Sequence, residues 1–205
     1  MVVLPDTRRL IILLTFGILS VIIVVSGCAS NVDNGVSGEN VTVTPSPAPS
    51  PINSTVPEGY RSYVNTTAGV SFVYPEPWNI TPNMMGSTAI FLNDDGANVI
   101  LKVGYVPAGV TGREVLQEFV DTYSDKLKEI IKDVSIGEEG LTTFKGSDAY
   151  HIKYNQTCNG QEQMSEQLVF IRGGKSYLFT WTVLPENYDA DEPEIRYIID
   201  SLEFS

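Results

Sequence analysis

An α+β domain, a mostly antiparallel sheet with helices packed on it, is predicted for residues 59–205 from three observations. Apolar residues recur at three-to-four spacing in two separate stretches, and they alternate with period two in several others. Short turn-forming runs rich in Gly, Asn or Asp interrupt the alternation. All ten Tyr, both Trp and seven of the eight Phe fall in this region, so the core-forming aromatics are concentrated there. With 42% hydrophobic residues in 205, one sizeable core is within reach. Thirteen Lys+Arg against 25 Asp+Glu give a net charge of −12, which excludes a nucleic-acid binder relying on bulk positive charge.

The chain opens on an export signal, residues 1–27. Arg8 and Arg9 precede an uncharged apolar run from Leu10 to Val25, short for a membrane span of about 20 residues. Val25-Ser26-Gly27-Cys28 resembles the lipobox of prokaryotic lipoproteins, in which the Cys thiol is alkylated with a lipid and the chain is cut just before it. Cys28 is therefore the expected lipidation site, and the mature chain is expected on the extracytoplasmic face of the cell membrane. An uncleaved N-terminal helix is the competing reading. Thr7-Arg8-Arg9 also resembles a twin-arginine signal, which leaves the export route open.

Residues 28–58 read as a lipid-anchored, disordered tether. They are rich in Pro, Ser, Thr and Asn and hold no aromatic residue, so they cannot bury enough surface to offset their conformational entropy. Thr44 to Pro51 alternates Pro with small residues and is expected to be extended. Sequons at Asn40 and Asn53 in the tether, and at Asn65, Asn79 and Asn155 in the domain, are candidate N-glycosylation sites.

Within the domain, Val70 to Tyr74 and Ile90 to Leu92 read as strands. Asn93-Asp94-Asp95-Gly96 turns the latter into a third, Val99 to Tyr105. Thr111-Gly112-Arg113-Glu114 has the form of a capping box, and Val115, Leu116, Phe119, Val120, Tyr123, Leu127, Ile130 and Ile131 carry an amphipathic helix to about Lys132. Val134 to Ile136 and Leu141 to Phe144 are expected to flank a hairpin turn at Glu138-Glu139-Gly140. Ala149 to Tyr154 reads as a strand with Tyr150, Ile152 and Tyr154 on a buried face and His151 and Lys153 on the other. Leu168 to Ile171 and Tyr177 to Val183 are joined through Gly173-Gly174. Asp191 is expected to N-cap a short final helix, with Glu194 reaching back and Ile195, Ile198, Ile199 and Leu202 turned inward.

Gly69-Val70-Ser71-Phe72-Val73-Tyr74-Pro75 with Trp78 resembles the opening strand of PsbP-like domains. Gly146, Ala149-Tyr150 and Tyr154, the strand Tyr177 to Trp181 and the closing Ile198 to Phe204 are similar to that family's later landmarks. The resemblance implies an α-β-α sandwich around an antiparallel sheet. It is a fold used by exported lipoproteins, a photosystem extrinsic subunit and a GTPase-binding import factor, whose common thread is docking to other proteins. Fold and binding-module character carry over. A photosystem role does not, because a Pro/Ser tether stands before this domain.

No catalytic constellation is legible. His151 is the chain's one histidine and is read as a polar outward residue. Cys158 is the second of two cysteines, and a lipidated Cys28 rules out an internal disulfide, so stability is expected to come from packing. There is no phosphate loop, no nucleophile motif and no cofactor signature. Asp189, Asp191, Glu192 and Glu194 form an acidic patch, a candidate surface for a basic partner or a divalent cation, although acidic residues at a helix start are favoured by its dipole alone. The expectation is a membrane-anchored, non-catalytic binding module for an envelope or membrane protein, with cation or small-ligand binding as the alternative.

Overall fold

The computed structural model describes residues 56–82 and 87–205, so the signal, Cys28, most of the tether, Asn40 and Asn53 lie outside the described residues. Two antiparallel sheets and two helices make up the domain. A seven-stranded sheet runs in the order β3 (Asn79–Pro82), β4 (Ala89–Leu92), β5 (Asn98–Tyr105), β9 (Lys175–Val183), β8 (Gln161–Arg172), β7 (Ser147–Cys158) and β6 (Ser135–Phe144). A small second sheet is formed by β1 (Tyr60–Asn65), β2 (Val70–Pro75) and β10 (Glu203–Phe204).

Helix α1 (Gly112–Ile130) covers one face of the large sheet. Its capping box forms as expected: the Glu114 backbone N–H donates to Thr111 Oγ1 at 3.2 Å, and the Thr111 N–H donates to Glu114 Oε2 at 2.7 Å. Val115, Leu116, Phe119, Tyr123 and Leu127 are buried against Tyr150, Ile152, Tyr154, Val169 and Leu178. The Tyr123 hydroxyl donates to Gln167 Oε1, whose amide donates to Tyr154 Oη, so the buried polar atoms of this layer satisfy one another. Burial pushes the Tyr154 phenol up to about 12, which keeps it neutral at any physiological pH.

The opposite face is covered by a mixed layer. Helix α2 (Tyr188–Asp200) brings Ile195, Ile198 and Ile199, and β2 brings Val70, Phe72 and Tyr74, onto Phe170, Tyr177, Phe179, Trp181 and Val183. The α-β-α sandwich is present, but half of its second outer layer is the small sheet. β1 and β10 escape the sequence reading because one carries two exposed residues in Arg61 and Ser62 and the other is only two residues long.

Three two-residue hairpins, at Lys145-Gly146, Asn159-Gly160 and Gly173-Gly174, fold β6 to β9 into a meander with positive φ at both central residues. The hairpin expected at Glu138-Glu139-Gly140 is absent. β6 runs through it as one ten-residue strand with a bulge between Ile136 and Glu139. The ladder to β7 resumes at once after the extra residue, so the glycines there relieve a bend rather than a reversal. At Gly160 φ is +81°, a region costly to side chains. Gly160→Ala is accordingly expected to lower the urea midpoint by the equivalent of about 1–2 kcal/mol. An unchanged midpoint would show that the turn relaxes without cost.

α2 begins four residues earlier than expected, with Asn187 rather than Asp191 at its N-cap, and Pro193 lies inside it. A 3-10 turn at Pro185–Asn187 has already wound the chain into helical conformation. Pro193 removes only the bond to the carbonyl of Asp189, which is exposed and open to water.

Candidate functional site

A cluster of charged groups gathers where side chains of α2 reach β7 and β8. Glu166 on β8 sits opposite Lys153 on β7 and Trp181 on β9. Its side chain is 4% exposed and meets three basic groups. His151 Nε2 lies 3.0 Å and Arg196 Nη2 3.2 Å from Oε2, while Lys153 Nζ lies 3.3 Å from Oε1, close enough for an ion pair but off the hydrogen-bonding direction. Arg196 also donates from Nε to Glu192 Oε1 at 2.7 Å and stacks its guanidinium over Trp181, 5.3 Å from the ring centre. Lys153 lies over Tyr188 at 5.0 Å. Burial pushes the Glu166 carboxyl upward, but the His151 hydrogen bond and the Arg196 and Lys153 charges outweigh it and hold it below the usual carboxylate range.

His151 and Lys153 do share a face opposite the tyrosines, as the alternation requires, yet that face is not open solvent. α2 lies over it, and the His151 side chain is only 27% exposed. The cluster forms an electrostatic clamp. The one imidazole is engaged by a carboxylate, and that carboxylate is surrounded by cations. Cys158 lies seven residues along the same strand and on the other face, about 24 Å from His151. Its side chain is buried, 3% exposed.

The acidic patch separates into individual contacts. Asp191 is buried and accepts from Asn93 Nδ2 at 2.8 Å; Asn93 also organises the β4–β5 turn through its backbone and Oδ1. Asp191 Oδ2 is buried without a hydrogen bond, and burial, reinforced by Asp95 and Glu194, raises the carboxyl pKa against the opposing Asn93 bond. Glu194, expected to cap the helix, instead accepts from Trp78 Nε1 at 2.8 Å, and Glu192 holds Arg196. Asp189 is exposed. Among the described residues no group of three or more His, Cys, Asp or Glu is arranged to hold a metal ion. A cavity of about 220 Å³ lies where residues 56 and 57 meet the domain, between Phe72, Lys145, Tyr197 and Asp200.

Of the sequons, Asn79 and Asn155 are exposed on strands. Asn65 is half-buried, donates its amide to Tyr63 Oη at 3.1 Å and accepts from the Ala68 N–H at 2.8 Å, so a glycan on Nδ2 would compete with the bond to Tyr63.

The family model for PsbP-like protein matches residues 15–204. The chain belongs to the PsbP-like family. Among solved structures, the PsbP-like domain is similar to cyanobacterial PsbP (CyanoP) from Synechocystis sp. PCC 6803, with 16% identity, 78% of this chain and 100% of that chain covered, and a TM-score of 0.54. It is also similar to LpqN of Mycobacterium tuberculosis, described as involved in cell envelope biogenesis, with 11% identity, 66% and 83% of the two chains covered, and a TM-score of 0.52. At such identities the likeness is one of fold. A search of curated proteins gives no match. No helix among the described residues is long and apolar enough to cross a membrane.

Proposed function

We propose that this PsbP-like protein is a non-catalytic, envelope-associated lipoprotein, anchored through a lipid on Cys28 and holding its domain outward on a Pro/Ser tether to dock a membrane or envelope protein. The observation that carries the non-catalytic reading is the clamp at Glu166, which engages the chain's one histidine and keeps its carboxylate ringed by cations. The membrane setting rests on the lipobox sequence, and the similarity to LpqN is in keeping with it.

Cys28→Ser is expected to release the protein from membranes or to block its processing, read by membrane fractionation and intact mass. Unchanged membrane retention with unchanged mass would point to an uncleaved helix. One sulfur cannot be both a thioether and half of a disulfide. Peptide mass mapping of the wild-type protein should therefore find the lipid on Cys28, and a Cys28–Cys158 disulfide in the membrane form would overturn the anchor. For docking, cross-linking in native membranes should return a partner in fixed stoichiometry at several salt concentrations, and repeated failure would count against that part.

A further inference from the structure

We propose that the loop of residues 105–110 is a membrane-contacting tip. It seats Tyr105 among the headgroups of an anionic bilayer, the one that holds the Cys28 lipid, and turns the acidic end of the sheet outward, a reading that rests on the lipid anchor. β5 ends at Tyr105, and Tyr105-Val106-Pro107-Ala108-Gly109-Val110 leads toward α1 without a charge. Tyr105 is 66% exposed, more than any other large hydrophobic residue among those described, and Ala108 and Gly109 are exposed beside it. The loop is held in place: the Val106 N–H donates to the Gly174 carbonyl at 2.9 Å and the Val110 N–H to the Pro107 carbonyl at 3.1 Å. A tyrosine on a fixed apolar turn suits a membrane interface, with its ring against the acyl chains and its hydroxyl in water.

The charge of the domain is divided along the sheet. Tyr105 pairs with Lys175, and Lys175 with Arg172, so both cations stand next to the loop. Arg113 is exposed at the start of α1, which Gly112 brings close against Ile171. Glu114 and Asp148 are the nearby anions, and toward the small sheet Lys145 is joined by Asp200 and Glu203, which leaves this end close to neutral. The other end lies about 24 Å away along β5. There the β4–β5 turn, the β7–β8 turn and the start of α2 expose Asp94, Asp95, Glu162, Glu186 and Asp189, and these segments contain no Lys or Arg. An anionic bilayer repels that end and admits the loop.

The chain also enters the domain at the loop's end of the sheet. Phe170 pairs with Ala149, so Arg172 and the Lys145-Gly146 turn leave the sheet on the same side, and Val56 and Pro57 line a cavity with Lys145. A lipid anchor pulling on Val56 therefore draws the loop toward the bilayer, which favours lipid over a protein as the occupant of this surface.

Tyr105→Trp supplies the probe, because the native Trp78 and Trp181 are each 3% exposed and shielded from a quencher in lipid. The processed, lipidated protein carrying it is reconstituted in phosphatidylcholine vesicles with and without phosphatidylglycerol, both with brominated acyl chains. Flotation reads the anchor and bromine quenching reads the tip. The protein should float with both vesicles, with quenching at least about threefold stronger where phosphatidylglycerol is present. Arg113→Glu, which the N-terminal dipole of α1 tolerates, should lower the contacting fraction about fivefold, the effect of roughly one charge at an anionic surface. Ala108→Asp, at an exposed position, should abolish the quenching. Flotation without quenching would overturn the tip and leave the anchor standing, and flotation with neither vesicle would overturn both. Quenching that survives Arg113→Glu and Ala108→Asp unchanged would mean that another surface carries the contact, which also overturns the proposal.

Discussion

Glu166→Ala is expected to destabilise the domain by about 2–4 kcal/mol, because it removes the anion that compensates three basic groups under α2. The full cost of breaking a buried pair, about 3–5 kcal/mol, is reduced here because Lys153 and Arg196 are 30% and 43% exposed and can turn toward water. Glu166→Gln separates charge from shape. Its sign with pH follows from the lowered carboxyl. A carboxylate whose folded pKa lies below its unfolded value adds stability above the unfolded pKa and loses it as pH falls through the folded one. Wild type should therefore lose stability below about pH 4.3 more steeply than Glu166→Gln, measured as urea midpoints across the acid range. Parallel acid limbs would mean that the clamp is not an acid-sensitive element, and an unchanged midpoint for Glu166→Ala at neutral pH would mean that it does not hold α2.

The clamp is not legible in the sequence for a definite reason. Its members come from β7, β8 and α2, and no local spacing links them. One signal could have found half of it. Lys153 and Glu166 are equidistant from Asn159-Gly160, a pair of residues that demands a two-residue hairpin, and recognising that turn sets them opposite each other. Glu138-Glu139-Gly140 reads as a turn instead, since a bulge and a reversal both use a glycine near polar residues, and only the continuing ladder tells them apart. Periodicity carried the rest well. The stripe of α1 and the alternation of Tyr150, Ile152 and Tyr154 lie in one core, and Tyr177, Phe179 and Trp181 lie in the other. What periodicity could not supply was the cover over His151. A face that looks solvent-directed on one strand is assigned by whatever packs above it, here a helix nearly forty residues downstream.

The largest loss is expected from Phe170→Ala. Phe170 is 1% exposed and lies at the centre of an aromatic column on the α2 side of the sheet. Its ring stacks on Tyr177 at 5.1 Å and Phe179 at 6.3 Å, is tilted to Phe144 at 5.0 Å, and meets the edge of Phe204 at 5.6 Å. These contacts join four strands from both sheets, because Phe144 belongs to β6, Phe204 to β10, and Tyr177 and Phe179 to β9, while Phe170 itself lies on β8. Truncation leaves a cavity that the flanking strands cannot close without breaking their registers. The expected cost is about 3–5 kcal/mol, a large share of the roughly 5–15 kcal/mol that holds a domain of this kind. β10 pairs with β2 through only two residues, so loss of the Phe204 contact should free the C-terminus first, visible as faster amide exchange at Glu203 and Phe204. Leu141→Ala, at an exposed edge position, provides the contrast and should stay within about 0.5 kcal/mol of wild type. If Phe170→Ala were as mild as Leu141→Ala, the two sheets would be held together by α2 and β2 alone, and the aromatic column would only fill space.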